Sequence, residues 1–329
     1  MEQQLTRIAV KIGSNVLTRR DGTLDVTRMS ALVDQVAELH KAGVEIILVS
    51  SGAVASGRSE IHPAKKLDSV DQRQLFSAVG QAKLINRYYE LFREHGIPVG
   101  QVLTMKENFA TRRHYLNQKN CMTVMLENGV IPIVNENDTI SVSELMFTDN
   151  DELSGLIASM MDAQVLIILS NIDGIYNGSP ADPASEVIRK IEHGKDLSSY
   201  IQTSKSSFGR GGMLTKTNIA RKVADEGITV IIANGKRDNI LVDLLHQELP
   251  ALFPDVQSSA LDSQLTYTRF IPAPQPVSSV KKWIAHSEGF AKGELHIDDC
   301  ATKVLASDKA VSILPIGITD VRGEFAKDD

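Results

Sequence analysis

Apolar residues fall along the chain in two alternating patterns. The first is a series of short, nearly unbroken runs: RIAVKI (7–12), VEIILVS (44–50), IPVGQVLT (97–104), VIPIV (130–134), QVLIILS (164–170) and ITVIIA (228–233). Their length and β-branched content predict strands, and the unbroken run VEIILVS is typical of a strand buried on both faces. The second pattern repeats every three to four residues. Met29, Leu32, Val33, Val36 and Leu39 define a helix over 29–39, with Thr27 as its N-cap and Gly43 as its stop. A long helix over 71–95 turns Leu75, Phe76, Val79, Ile85, Tyr88, Tyr89 and Phe92 inward. Further helices are predicted over 112–127, 151–162 and 213–226. Strands alternating with amphipathic helices mean βαβ units and a mainly parallel sheet. Such sheets bind ligands at the carboxyl ends of their strands, so the strand-to-loop junctions are the places to search.

The alternation stops near residue 254. Pro254, Pro272, Pro274 and Pro276 punctuate the following stretch, which reads as a linker. This divides the chain into an α/β domain over 1–254, a linker over 255–276 and a small segment over 277–329. The last segment holds short strand-like runs and no strong helix, and is small for an independent fold.

The 329 residues are 42% hydrophobic and 23% charged, as in ordinary globular proteins. No apolar run reaches the ~18–20 residues of a membrane span, and MEQQLTRIAV lacks an apolar signal segment. A formal net charge of −6 argues against a broad nucleic-acid footprint. Cys121 and Cys300 are the only cysteines, which fits a reduced, cytoplasmic compartment and offers no thiolate metal site.

Five junctions carry chemistry. In VKIGSN (10–15), Lys11 lies within an apolar strand just before Gly13. A lysine there is costly unless it meets an anion, the alternative being an edge position from which it reaches solvent. In VSSGAVASG (49–57), Ser50, Ser51, Gly52 and Ala53 are small enough for backbone N–H groups to approach a ligand, and a helix beginning there adds its positive end. A tight strand-to-helix turn is the plainer reading. VNENDTIS (134–141) sets Glu136 and Asp138 around Asn137, and FTDNDELSG (147–155) holds Asp149, Asn150 and Asp151. Asn150 or Asp151 would also serve as a helix cap. Together the two acid-amide clusters suit an ammonium group, or carboxylates that order lysines and magnesium waters.

The fifth junction is GRGGMLTK (209–216). Its glycines permit several N–H groups to face one anion, and Lys216 would reach over that anion from the first turn of a helix. The spacing is not that of a Walker loop. With Lys11 it makes a two-lysine clamp for a phosphoryl group in transfer. No histidine falls in any junction. A carboxylate acceptor, with a pKa near ~4.3, is already ionised and needs no base.

The ordered set VKIGSNVL, VSSGAVASGR, AVGQ, NENDTI, DNDELSG, ILSNIDGIY and GRGGMLTK resembles the amino-acid kinase family, in the branch acting on glutamate; the likeness runs over residues 7–245. Residues 277–329, with KKWIAH, GELHIDDCA and ILPIGITDVRGEF, resemble the start of a PUA domain. The resemblance implies a three-layer αβα sandwich around a mainly parallel open sheet. It implies ATP-dependent phosphorylation of the γ-carboxylate of L-glutamate, the first step of proline biosynthesis, with proline as feedback inhibitor. It also implies a homo-oligomer, dimer or tetramer. By the same resemblance Lys11, Lys216 and Asp151 are catalytic. Ser51, Gly52, Ala53, Asp138 and Asn150 hold glutamate. Lys11, Gly13, Ser170, Asn171, Arg210, Gly211, Gly212, Met213, Leu214, Thr215 and Lys216 line the nucleotide site. Mg2+ is held by ATP phosphates and water, with no direct protein ligand. Two positions depart from the family pattern: Ser170-Asn171 stands where Thr-Asp is familiar, and Arg210 where a threonine precedes the two glycines. Competing readings are a family member acting on carbamate or a nucleoside monophosphate, and a PUA-type RNA-binding or regulatory protein. The acid-amide clusters oppose the former; the negative charge and both lysines oppose the latter.

Overall fold

A computed structural model describes residues 6–141, 147, 149–180, 182–195, 213–249, 265–275, 277–286, 293–305 and 312–323. Contacts divide the chain into two compact units, Met1–Trp283 and Ile284–Asp329.

The first unit is built on strands β1 (Arg7–Ile12), β2 (Glu45–Ser50), β3 (Val99–Thr104), β4 (Ile131–Glu136), β5 (Val165–Ser170), β6 (Lys190–Ile191), β7 (Thr229–Asn234) and β8 (Thr268–Phe270). They form one sheet in the order β3-β4-β2-β1-β5-β7-β8-β6. The six strands from β3 to β7 in that order run parallel, and β8 pairs antiparallel to β7. Its helices are α1 (Ser14–Leu17), α2 (Val26–Lys41), α3 (Ala53–Arg58), α4 (Ser69–Glu94), α5 (Arg112–Glu127), α6 (Asn150–Met160), α7 (Met213–Asp225) and α8 (Ile240–Glu248). A ninth, α9 (Ser279–His286), begins in this unit.

Strand alternation sorts the core into layers. Ile8, Val10 and Ile12 pack with Met29, Leu32, Leu84, Tyr88, Leu241 and Leu244, so α2, α4 and α8 cover one face. Ala9, Leu166, Ile168, Val230 and Ile232 pack with Ala220 and Val223 of α7, while Ile47, Val49 and Val134 pack with Met122 of α5 and Leu153, Leu156 and Ile157 of α6. The αβα sandwich implied by the resemblance is therefore present. Lys11 shares the strand face of Ala9 and is turned toward the α6 and α7 side.

Some expectations need correction. The N-cap of α2 is Asp25, whose side chain accepts from Arg28 N, two residues ahead of Thr27. Tyr89 is exposed, while Leu84, one turn before Tyr88, is buried on the inward face of α4. Within the expected linker, Thr268 and Phe270 are buried and β8 completes the sheet, because Tyr267–Phe270 precedes the proline cluster rather than belonging to it. Beyond residue 277 two helices form. In α9, Trp283 donates from Nε1 to the Phe109 carbonyl at 3.0 Å, and Lys282 pairs with Asp162 at 3.0 Å. The second unit pairs β9 (Gly293–Ile297) antiparallel with β10 (Ile318–Gly323), and holds helix α10 (Asp299–Leu305). Among the described residues, no helix is long and apolar enough to cross a membrane.

Candidate active site

Three elements bring one buried carboxylate between two ammonium groups. Lys11 arrives from the end of β1 with its side chain 6% exposed, and its ammonium contacts Asp151 Oδ1. Lys216, on the first turn of α7, reaches Asp151 Oδ2 at 2.6 Å with its side chain 15% exposed. Asp151 itself is 0% exposed. Local packing explains the meeting. Gly155 lies one turn beyond Asp151, and a Cβ there would come within 2.8 Å of Ile219 Cγ2 and 3.0 Å of Val223 Cγ2. Glycine thus lets α6 and α7 approach closely on the faces that carry Asp151 and Lys216. Burial would push the Asp151 carboxyl up, but the two lysines outweigh it and hold the group below its ordinary value.

Neither Asn150 nor Asp151 caps α6. Asp149 does, accepting from Asp151 N at 2.9 Å and Glu152 N at 3.1 Å. Burial, reinforced by the charge of Asp151, pushes the Asp149 carboxyl up. Its Oδ2 is buried with no hydrogen-bond partner among the described residues.

Asn150 is thereby left for another task. Its Nδ2 donates to Ser50 O at 3.1 Å, Ser51 Oγ at 2.9 Å and Asn135 Oδ1 at 2.9 Å, tying α6 to the ends of β2 and β4. Asn135 in turn donates to Gln81 Oε1 on α4 at 2.8 Å. The turn after β2 is shaped by Gly52, whose φ of +108° favours glycine, and Ala53 opens α3 directly afterwards. Ser50 shares a hydrogen bond with the buried hydroxyl of Tyr88 at 2.8 Å.

The end of β4 gathers acids. Glu136 Oε1 accepts from Ser141 Oγ at 2.9 Å and Phe147 N at 3.0 Å. Glu136 Oε2 accepts from Arg73 Nη2 at 2.9 Å, and Arg73 Nε donates to Asp138 Oδ1 at 2.7 Å. Burial pushes the Glu136 carboxyl up, and neighbouring Asp138 adds to this. Sequence reasoning missed Arg73, Asn135, Gln81 and the capping role of Asp149. Asn135 and Asp149 sat in junctions already singled out and Gln81 in the AVGQ motif (78–81); Arg73 had no signal beyond a polar position on a helix.

On the other side of β1, Gly13 donates to Leu169 O at 3.1 Å, and a Cβ at Gly13 would lie 3.0 Å from that oxygen. Ser170 is buried at the end of β5 and Asn171 is exposed beside it. Met213, Leu214 and Thr215 form the first turn of α7 ahead of Lys216, with Leu214 exposed. Arg210, Gly211 and Gly212 lie outside the described residues. Among the described residues, no three His, Cys, Asp or Glu side chains converge to hold a bare ion. The orphaned Asp149 Oδ2 is suited to accept from a water of a hydrated cation.

This crevice, at the carboxyl ends of a parallel sheet, has a cationic end that suits phosphate and an acidic end that suits an ammonium group. The chain belongs to the amino acid kinase family, whose sequence profile matches residues 6–234. Within that family it falls among the glutamate 5-kinases. The protein of that name from Bacteroides thetaiotaomicron is 83% identical over 329 residues, covering 100% of this chain and 88% of its own length. The one from Chlorobaculum tepidum is 46% identical over 325 residues, covering 98% and 85%. Two solved structures share the fold. UMP kinase from Ureaplasma parvum aligns with a TM-score of 0.52 at 14% identity, over 82% of this chain and 100% of that one. An isopentenyl phosphate kinase substrate complex aligns with a TM-score of 0.54 at 14% identity, over 80% and 99%.

Proposed function

We propose that the chain transfers the γ-phosphoryl group of ATP to the γ-carboxylate of L-glutamate, giving L-glutamyl 5-phosphate for proline biosynthesis. The observation that carries this reading is the polarity of the crevice. Lys11 and Lys216 meet on Asp151 at one end, Glu136 and Asp138 gather at the other, and Asn150, adjacent to Asp151, donates to Asn135, the neighbour of Glu136. Glutamate has the matching form, an ammonium group at one end and a carboxylate at the other.

Asp138 takes the α-ammonium group. Asn150, Ser51 and the Gly52–Ala53 turn hold the chain and its carboxylate. Gly13, Ser170, Asn171 and residues 210–216 receive the nucleotide. A γ-carboxylate oxygen attacks the γ-phosphorus in line, the new O–P bond forms as the old one breaks, and the electron pair leaves with ADP. The carboxylate is already ionised at neutral pH, so no proton moves and no base is required. Lys11 and Lys216 neutralise charge on the transferring group, while Asp151 keeps both ammonium groups in register without a solvent rearrangement. Asp149 Oδ2 would accept from a water of a magnesium ion carried by ATP, and that ion would supply charge neutralisation to the phosphates.

Proline shares the α-carboxylate and ammonium group of glutamate, and would compete at the same loop. The exposed, unpaired Cys121 and Cys300 suit the cytoplasm. The exposed Leu103 on edge strand β3, with Leu116 and Val124 on α5, suits a homo-oligomer, which light scattering would check. Residues 277–329 are read as the PUA-like segment, a reading supported by the β9–β10 pair.

The test traps the product. With MgATP, L-glutamate and hydroxylamine, the enzyme is expected to form a hydroxamate in step with ADP. ADP release without hydroxamate would move the assignment to another acceptor. Asp138→Ala is expected to raise KM for glutamate at least about tenfold, with KM for ATP within about twofold, since it removes one charge-assisted contact of ~1.5–3 kcal/mol. Equal rises in both constants would remove Asp138 from the glutamate subsite.

A further inference from the structure

Arg73 belongs to none of the motifs at the strand ends. It lies on the second turn of α4, from which its guanidinium crosses to the loop after β4. There it bridges two acids, with Nε to Asp138 Oδ1 at 2.7 Å, Nη2 to Glu136 Oε2 at 2.9 Å and a further close contact from Nη2 to Asp138 Oδ1. Its neighbours continue the seam. Gln74 Nε2 donates to Thr139 O at 2.8 Å, and Gln81, two turns further on, accepts from Asn135. One side of α4 thus meets the end of β4 and the loop after it at three places, and among Arg73, Gln74 and Gln81 only Arg73 is charged.

We infer that Arg73 is the positioning and specificity residue for the ammonium end of the acceptor. This rests on the reading of the crevice as a glutamate site. Two carboxylates so close together repel and turn apart, or share a proton, unless a cation lies between them. A guanidinium is the side chain whose planar fork can engage both at once. By taking Oδ1, Arg73 fixes the rotation of the Asp138 carboxylate and therefore the direction in which Oδ2 points. It also leaves the three groups, Arg73, Glu136 and Asp138, with a net charge of −1, which one ammonium group balances. An acceptor with no ammonium group, such as glutarate, has nothing to offer the Asp138 carboxylate that Arg73 orients. Arg73 is thus the reason this end selects an amino acid over a plain dicarboxylate.

The readout is steady-state kinetics of hydroxamate formation, with glutamate and glutarate as acceptors. For Arg73→Gln, KM for glutamate is expected to rise at least about tenfold, with kcat and KM for ATP within about twofold. The preference for glutamate over glutarate is expected to fall by a similar factor, because the orientation of Asp138 is lost. Arg73→Lys keeps a single charge that engages one carboxylate at a time, and is expected to fall between parent and Arg73→Gln. A purely structural arginine would lower the thermal midpoint and active fraction while leaving KM and the acceptor preference as in the parent, and that result would overturn the inference. If Arg73→Gln does not fold, Arg73→Lys decides alone: a parental KM for glutamate overturns the positioning role. A parent enzyme that phosphorylates neither acid removes the glutamate reading itself, a result distinct from either outcome for the variants.

Discussion

Replacing Lys216 with alanine is expected to lower kcat for glutamate phosphorylation by about a thousandfold, the usual cost of removing one preorganised donor from a site of developing charge. The geometry argues for an effect this large. The ammonium sits 2.6 Å from Asp151 Oδ2, is 15% exposed, and rides on a helix pinned to α6 through Gly155. No neighbouring cation among the described residues shares its contact with Oδ2. Lys11 remains on the other oxygen, so the buried carboxylate keeps one partner and the fold is expected to survive, weakened by on the order of 1–3 kcal/mol. Lys216→Arg retains charge but not the compact ammonium, and should recover only part of the rate. Both variants are checked by hydroxamate yield alongside a thermal melt. A Lys216→Ala enzyme that kept more than about a tenth of parental kcat would remove this lysine from the transition state.

The second large effect is expected from adding a single methyl group. Gly80→Ala would place a Cβ 1.7 Å from Ala53 O and 2.4 Å from Gly57 N. In an open helix, glycine to alanine stabilises by about 1 kcal/mol. Here the obstacle is backbone, which cannot rotate aside. Gly57 stands in the same relation to α4, because its Cβ would meet Phe76 O at 1.8 Å. The two glycines let α3 and α4 touch main chain to main chain, so the methyl group must force them apart. Overpacking of this kind costs about 1–3 kcal/mol, sometimes more, which for a unit of this size lowers Tm by roughly 2–5 °C. The same displacement moves Ala53 and the Gly52 turn, so KM for glutamate should rise in the fraction that stays folded. Asn86→Ala, on the exposed side of α4, is the control and should stay within about 0.5 kcal/mol of the parent. An unchanged melting temperature for Gly80→Ala would contradict the close approach.

The inner parallel strands β2, β4 and β5 were legible in the sequence because burial on both faces leaves nearly unbroken apolar runs, and edge strand β3 was legible from its β-branched residues although part of it faces solvent. Helix α5 was legible to its end residues, Arg112 and Glu127, because Thr111 caps it and Gly129 follows. Strand β8 was hidden because three residues cannot display a period, and the prolines after it dominate the composition. Helix α8 was missed although ILVDLL is strongly apolar, since its N-cap, Asn239, makes no side-chain cap bond. At the candidate site, residues inside the junctions were legible by type. Arg73, which reaches the crevice from α4, was not, because a surface arginine and a half-buried bridging arginine look alike until the helix is docked. The pairing of Asp149 with the helix end and Asn150 with the strand ends likewise depends on where α6 begins, a shift of one residue that spacing alone cannot fix.

Strand β8 has a consequence for synthesis. The chain that emerges first carries every parallel strand of the catalytic sheet, yet β7 keeps an open edge until Thr268–Phe270 arrives to pair with it. During translation the nascent sheet must wait, one flank unsatisfied, through the stretch after α8. A fragment ending at residue 254 would make that waiting state permanent and leave β7 as a template for other chains.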